Sequence, residues 1–144
     1  MVCSTGRMVG TSEGEDMSPG EACNECHAYA NSGGEGGMEA PIFGFAGTVY
    51  ETAHEPDGCA GGDAQGGGGA RVEVVSATGK RYVAPVTRGG NFMLDPTVIA
   101  FPITARVKYG GRSRWMIDPI MTGDCNTCHS AVGEEGASGR IRLP

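Results

Sequence analysis

The sequence has little aliphatic material from which to build a core. It contains two leucines, and Leu, Ile, Val and Phe together account for 23 of its 144 residues. That share lies under the level of roughly 20% below which a highly charged chain is expected to remain disordered. Glycine is abundant instead, at 26 residues, and each glycine inside a helix costs about 1 kcal/mol relative to alanine. Long helices are therefore excluded, and a folded chain of this composition needs an additional apolar component.

Two further absences limit the classes of partner. No apolar run approaches the ~20 residues that a membrane-spanning helix requires, so we expect no transmembrane segment. The net charge is −6, and an acidic chain of this kind is not expected to bind nucleic acid. The charges are segregated along the chain, and head-to-tail contact between copies would exploit that segregation. The acidic group comprises Glu13, Glu15, Asp16, Glu21, Glu25, Glu35 and Glu39, and the basic group comprises Arg106, Lys108, Arg112, Arg114, Arg140 and Arg142.

One five-residue pattern, Cys-x-x-Cys-His, occurs twice, at 23–27 and at 125–129. Composition alone predicts on the order of 0.005 such patterns, so chance does not explain the pair. The spacing presents two thiols to one edge of a porphyrin, while the adjacent imidazole reaches the iron. The sequence therefore predicts two covalently attached haem c groups, whose apolar faces would supply the missing core. The attachment and proximal-ligand residues are Cys23, Cys26 and His27 for the first haem and Cys125, Cys128 and His129 for the second.

Two other interpretations of the cysteine pairs need to be weighed. Four thiolates would hold a structural zinc ion, or each pair would form a short disulfide. The cysteine pairs of a zinc ribbon usually lie within a few tens of residues, whereas Cys26 and Cys125 are far apart in the sequence. Neither alternative explains a histidine directly after both pairs. Haem attachment is the favoured interpretation, and we expect the protein without haem to fold poorly.

The region between the motifs has the pattern of a mainly β structure. Apolar residues alternate with period two over short segments, and glycines lie where hairpin turns are needed. We predict a small immunoglobulin-like β-sandwich at 42–117, flanked by haem-binding segments at 1–41 and 118–144, with few short helices. A long loop, 51–69, follows the first strand. The predicted strands are 42–50, 71–77, 80–87, 91–94, 103–109 and 112–117.

Several short segments also resemble a known family. Gly-Thr-Val-Tyr at 47–50, Ala-Arg-Val-Glu-Val at 70–74 and Gly-Asn-Phe at 90–92 look like the carboxypeptidase-regulatory-like sandwich module. Ser-Pro-Gly at 18–20 precedes the first motif, and Gly-Asp at 123–124 precedes the second. With these flanks, residues 17–144 resemble a group of secreted bacterial dihaem proteins. The resemblance implies the sandwich fold and a role in electron transfer.

The distal ligands of the two irons come from a small set of side chains. Outside the motifs the chain has a single histidine, His54, so at most one haem has two histidine ligands, and we predict that His54 binds an iron. The other iron takes a methionine, another donor or an open site. Met116 is the preferred candidate, with Met121 and Met17 behind it. Methionine ligation raises the reduction potential relative to two histidines, which predicts two unequal haems.

The strand count adds a prediction about His54. Six strands running alternately up and down place both haem segments at one end of the sandwich, and His54, after the first strand, at the opposite end. A nine-residue strand spans about 30 Å, so His54 reaches a haem of its own chain only if the loop folds back. Without such a fold-back, His54 would ligate a haem of a neighbouring copy. That contact, repeated without closure, generates a filament.

Covalent haem attachment takes place outside the cytoplasm, so we expect that an export signal was removed or left out of this sequence. The expected location is extracellular or at the cell surface, with the periplasm as the alternative. An oxidising compartment permits a disulfide between Cys3 and Cys59, and a lipid carried on Cys3 is the other interpretation of that residue.

The predicted function is electron transfer with redox partner proteins, without enzymatic activity. One alternative is a monomeric periplasmic or outer-membrane lipoprotein carrier. Another is a haem protein that binds a small ligand or cleaves peroxide. A peroxidase needs an open iron and nearby acid–base groups, and three histidines leave little for that chemistry.

Overall fold

Two β-sheets and one short α-helix make up the described part of the protein, so the predicted mainly β fold class is confirmed. The computed structural model describes residues 2–10, 13–33, 39–62 and 69–144. Glu35 and residues 63–68 of the predicted long loop lie outside the described residues.

Seven strands form the two sheets. They are β1 (Ala46–Tyr50), β2 (Arg71–Val75), β3 (Arg81–Pro85), β4 (Asn91–Met93), β5 (Thr104–Tyr109), β6 (Arg112–Trp115) and β7 (Ile141–Arg142). The first sheet has the order β4–β1–β7, and the second has the order β3–β2–β5–β6. Neighbouring strands are antiparallel except β1 and β7, which are parallel.

The main core lies between the sheets. Val49 of β1 and Phe92 of β4 belong to one buried cluster with side chains of the second sheet. Each Val or Phe side chain that is fully buried contributes about 1.5–3 kcal/mol, so this cluster is a main source of stability. Its members in the second sheet are Val72, Val74, Ala84, Ala105 and Val107.

All six predicted strands are present, and each is shorter than predicted. β1 begins at Ala46 rather than at 42 because the preceding backbone is bound by a side chain. Phe43 N donates to Asn24 Oδ1 (2.8 Å), and Asn24 Nδ2 donates to Phe43 O (2.9 Å). β7 is missing from the predicted set, since a strand of two residues carries no alternation from which it could be recognised.

The one α-helix among the described residues, α1 (Cys23–Asn31), carries the first Cys-x-x-Cys-His motif. Its N-cap residue, Ala22, has no side chain that accepts a hydrogen bond from the first turn. That role falls to Asp124, whose Oδ2 accepts a hydrogen bond from Glu25 N at 3.0 Å. A carboxylate near a helix N-terminus is favourable, because the unpaired N–H groups and the helix dipole are positive there. The residues that the structure describes include no helix long and apolar enough to cross a membrane.

A disulfide between Cys3 and Cys59 fixes the N-terminal segment to the loop that follows β1. Both cysteines are buried beside Tyr50. Ser4 binds the same loop through its N and Oγ atoms, which donate to the Glu55 carboxylate at 2.6 and 2.5 Å. The pairing corresponds to the disulfide interpretation of Cys3, and a sulfur held in a disulfide has no thiol left to carry a lipid.

Candidate functional site

The two Cys-x-x-Cys-His motifs lie next to each other, beside β1. Asp124, directly before the second motif, binds the first turn of α1 through Glu25 N. A second contact between the two segments comes from Asn126, inside the second motif, whose Nδ2 donates to Glu21 O at 2.9 Å. A bridge between Asp124 and Ala46 fixes the second motif to the start of β1. The fold therefore brings together two segments that are about a hundred residues apart in the sequence.

The residue after the first cysteine is asparagine in both motifs, and both asparagines are structural. Asn24 makes the two hydrogen bonds to the Phe43 backbone that delay the start of β1. Asn126 is buried, accepts from Thr48 N at 3.1 Å and donates to Thr48 Oγ1 at 3.0 Å. The two positions between the cysteines are variable in the general pattern, so sequence reasoning missed this pair of anchors.

Gly47 makes room for the second motif against β1. A Cβ atom at this position would lie 2.7 Å from Phe92 Cζ and 3.0 Å from Cys125 Cβ. Separations this short are not tolerated, so the strand needs glycine where the first cysteine of the second motif packs.

Each of the three histidines is bonded to a backbone carbonyl through Nδ1. His27 pairs with Pro41 O at 2.5 Å, His54 with Ala131 O at 2.7 Å and His129 with Gly139 O at 2.9 Å. A carbonyl oxygen only accepts, so Nδ1 carries the proton, and in the neutral ring the lone pair lies on Nε2. A carbonyl on the far nitrogen is the arrangement by which proteins orient a metal-binding imidazole. All three rings therefore have a donor atom suited to a metal.

The second motif opens into the larger cavity, with a volume of about 430 Å³. Cys125, Cys128, His129 and Met116 all line it. Met121 does not, and its side chain is 72% exposed. Of the methionines predicted as ligands for the second iron, Met116 is the one that shares a cavity with the motif.

The first motif borders a small cleft of about 70 Å³ with mainly apolar walls. His27 lines it and packs its ring against Phe43, with 5.3 Å between ring centroids. Two thioether sulfurs border the same cleft, from Met17 and Met93. Met17 is one of the two methionines predicted behind Met116. Met93 escaped sequence reasoning because it lies in β4, far from the motif in the sequence.

The predicted position of His54 at the opposite end from the haem segments is wrong. Its ring binds Ala131, in the segment that follows the second motif. The cause is β7, which runs parallel to β1 and pairs Tyr50 with Arg142. This pairing returns the C-terminal segment to the residues that follow β1, where Arg140 N also donates to Ala53 O. His54 is exposed and is not among the residues that line the 430 Å³ cavity.

The four motif cysteines are unpaired, whereas Cys3 and Cys59 are joined. Burial, together with the negative charge of Asp124, raises the pKa of Cys23 and of Cys125 to about 12. The thiols are thus held in the protonated form, unlike the low-pKa thiolates of redox-active and readily metallated cysteines. This environment favours neither disulfide exchange nor a four-thiolate zinc site.

A buried guanidinium links both motif segments to the loop that follows β1. The Arg140 side chain is 0% exposed. Its Nε donates to Glu55 O (2.8 Å), and its Nη1 donates to Gly20 O (2.9 Å) and His129 O (3.4 Å). Nη2 forms an ion pair with Asp57 at 2.5 Å. Arg140 therefore fixes three parts of the chain relative to one another: the residues before the first motif, the histidine of the second motif and the loop after β1.

No family model, curated protein or solved structure matches the chain. The functional conclusions below therefore depend on the residues and their geometry.

Proposed function

We propose that the protein is a dihaem c-type cytochrome that transfers electrons outside the cytoplasm. The observation that carries the proposal is the state of the two motif histidines. His27 and His129 each follow a pair of free thiols, and each has its Nδ1 occupied by a backbone carbonyl, which leaves Nε2 available to iron. A four-thiolate zinc site or a pair of disulfides would leave both of these oriented imidazoles without a metal to bind.

The residues present fit covalently bound haem. The donor set at each site is two thiols and an imidazole, which form two thioethers and one axial bond. The cavity beside Cys125 and Cys128 is large, and more of its wall is apolar than polar, as a porphyrin face requires. The smaller cleft beside Cys23 implies that a haem held there is more exposed to solvent. When bound, the group supplies a one-electron couple at each motif.

The chain's own residues set the difference between the two sites. His129 and Met116 line one cavity and are the proposed axial pair of the second site. At the first site His27 is the proximal ligand, and Met17 and Met93 are the nearest donors from the same chain. Since methionine ligation raises a haem's potential relative to two histidines, a first site completed by His54 of another copy would have the lower potential.

We also propose that copies of the protein associate through His54. The support comes from the exposure and orientation of this side chain and not from the number of strands. His54 is exposed, its ring is fixed through Nδ1, and it stays outside the cavity of the second motif. An oriented imidazole at the surface is suited to an iron of a neighbouring copy. Repetition of such a contact produces a filament of electron carriers, which agrees with an extracellular or cell-surface location and with redox partner proteins at its ends.

We also propose that the fold is an immunoglobulin-like β-sandwich. Two facing sheets with a shared core support this assignment. The joined Cys3 and Cys59 support an oxidising compartment.

Intact mass and optical spectroscopy of the exported protein test the function. We expect a mass increase of two haem groups, low-spin spectra in both oxidation states and no carbon monoxide binding. Replacing both Cys125 and Cys128 with alanine removes one haem and leaves the other. A mass without haem refutes the cytochrome, and a high-spin fraction that binds carbon monoxide refutes the carrier in favour of a ligand-binding or peroxidase-type protein.

The axial pair of the second site has its own matched test. The Met116→Ala variant should lose the charge-transfer band that marks methionine bound to ferric haem. The Met121→Ala variant should keep it, because that side chain is exposed and does not line the cavity. A band that survives Met116→Ala contradicts the assignment while leaving the haem count unaffected.

A further inference from the structure

The surface around the first motif is acidic. We define the acidic rim as Glu13, Glu15, Glu21 and Glu25, all of which are exposed. Glu15 and Glu21 line the first cleft, and Glu25 lies inside the first motif. In the described part of the chain, none of the four forms an ion pair. These charges therefore face solvent or a partner.

The surface at the mouth of the second cavity is basic. We define the basic rim as Arg112 and Arg114 of β6 and Arg142 of β7, all of which are exposed. Arg114 and Arg142 line the cavity. Arg106 and Arg140 line it as well, against three acidic residues, so four positive charges face three carboxyl groups around the cavity. The acidic residues are Asp118, Asp124 and Glu135.

Three of the four other basic residues on the strands of the second sheet share one buried carboxylate, and the fourth, Arg71, is exposed. Glu73 is buried and pairs with Arg81 at 2.6 Å, with Arg106, and with Lys108 at 3.8 Å. Arg140 likewise pairs with Asp57. By contrast, no member of the basic rim forms an ion pair with any other described residue. At the second cavity, the ion pairs of the described residues thus engage Arg106 and Arg140 and leave Arg114 and Arg142 without a partner.

An exposed aromatic residue adjoins the basic rim. Trp115, at the end of β6, is 51% exposed, and its ring stacks on Arg106 with 4.6 Å from the guanidinium carbon to the ring centroid. Tryptophan and arginine are the residue types that most often dominate the energy of protein interfaces. β6 is also an edge strand, so its outer side is open to a partner.

We propose that the acidic rim of one copy docks against the basic rim of a second copy. The second copy is the partner because the complementary charges are on the same chain. The two rims are different surfaces, so the contact is heterologous, and each added copy presents another rim unless the rotation closes a ring. The charge contact does not need haem. Resting on the proposed function, it also brings the first site of one copy beside the second site of its neighbour.

Sedimentation velocity of the mature protein at low and high salt tests the contact. We expect the association constant to fall by roughly tenfold or more between ~0.05 and ~0.5 M salt, because the Debye length shortens to a few ångströms over this range. The Arg112→Glu variant should weaken association at low salt by about tenfold, since a repulsion replaces an attraction. The Lys80→Glu variant is the matched control, because it makes the same charge change in the turn between β2 and β3.

Mixing two charge-reversed variants separates this contact from others. The Arg112→Glu/Arg114→Glu variant keeps the acidic rim, and the Glu13→Lys/Glu15→Lys variant keeps the basic rim. Each alone should be monomeric, and an equimolar mixture should associate again, because the intact acidic rim of one variant meets the intact basic rim of the other. Intact mass of each variant counts its haems, so a loss of haem is distinguished from a loss of docking. A wild type that stays monomeric at low salt, or an Arg112→Glu variant that associates like Lys80→Glu, overturns the proposal even if both haems are present.

Discussion

Replacing Arg140 with methionine removes the side chain that holds both motif segments and the loop after β1. Methionine keeps most of the apolar volume and removes all the donors. The variant loses two short hydrogen bonds from a charged donor, to Glu55 O at 2.8 Å and to Gly20 O at 2.9 Å, and a longer one to His129 O. A buried carbonyl left without a donor costs about 1–3 kcal/mol, so the two short bonds alone set a range of about 2–6 kcal/mol.

Two considerations place the expected loss in the lower half of that range. Asp57 is 59% exposed, so water solvates its charge once the guanidinium is gone, and the full penalty of an unpaired buried charge does not arise. The variant also avoids the cost of removing the guanidinium from water. We therefore expect Arg140→Met to lower the free energy of unfolding by about 3 kcal/mol, a large part of the 5–15 kcal/mol that is typical of a domain.

Urea unfolding of the haem-loaded protein, followed by far-ultraviolet circular dichroism, measures this loss. Arg142→Met is the matched control, because Arg142 is exposed and two residues away, and it should change the free energy of unfolding by less than about 0.5 kcal/mol. Arg140→Lys should recover little, since one ammonium group does not reproduce the planar fork of donors. A loss under about 1 kcal/mol for Arg140→Met refutes the view that this side chain holds the segments together.

Three other perturbations test separate parts of the structure. Burial raises the pKa of Asp124, so the native state binds its proton at a higher pH than the unfolded state does. Wild-type stability should therefore increase as the pH falls through the native pKa towards about 3.9. Asp124→Asn keeps a helix-capping acceptor and should lose this increase in urea midpoints measured between pH 7 and 4, and parallel curves for the two proteins would contradict the assignment. Gly47→Ala places a methyl group 2.7 Å from Phe92 Cζ and should cost about 1–3 kcal/mol; an unchanged melting temperature would show that the contact is not tight. Replacing both Cys3 and Cys59 with serine removes a disulfide that links residues 56 positions apart. By chain entropy this should lower the free energy of unfolding, measured in urea against the wild type, by up to about 4 kcal/mol. A variant as stable as the wild type would show that the disulfide does not stabilise the fold.

The strands could be predicted from the sequence because their evidence is local. Alternation at 71–77 and 103–109 and glycines at the turns are read within a few residues. β7 depends on a different kind of information. It is a strand of two residues that exists only because β1 accepts it from the distant end of the chain, and no local pattern indicates such a pairing.

The candidate site divides in the same way. The motif cysteines and histidines follow from spacing, and Met116 from its nearness to the second motif. The roles of Asn24, Asn126 and Asp124 could not be predicted in this way. Each of these side chains binds backbone atoms that are distant in the sequence, and no local pattern indicates such a contact. The predicted position of His54 is wrong because it depends on β7, whose pairing with β1 brings the C-terminal segment beside the residues that follow β1.

The capping of α1 by Asp124 has a consequence for maturation. A chain exported N-terminus first delivers its first motif through the membrane long before residue 124 arrives on the same side. During that interval the segment that carries Cys23 and Cys26 lacks its remote cap, so a haem ligase meets it as an open peptide rather than as a finished helix. Under the proposed function, the late arrival of the C-terminal segment would cap α1 only after the first haem is attached, so the order of synthesis would leave Cys23 and Cys26 accessible while that attachment takes place.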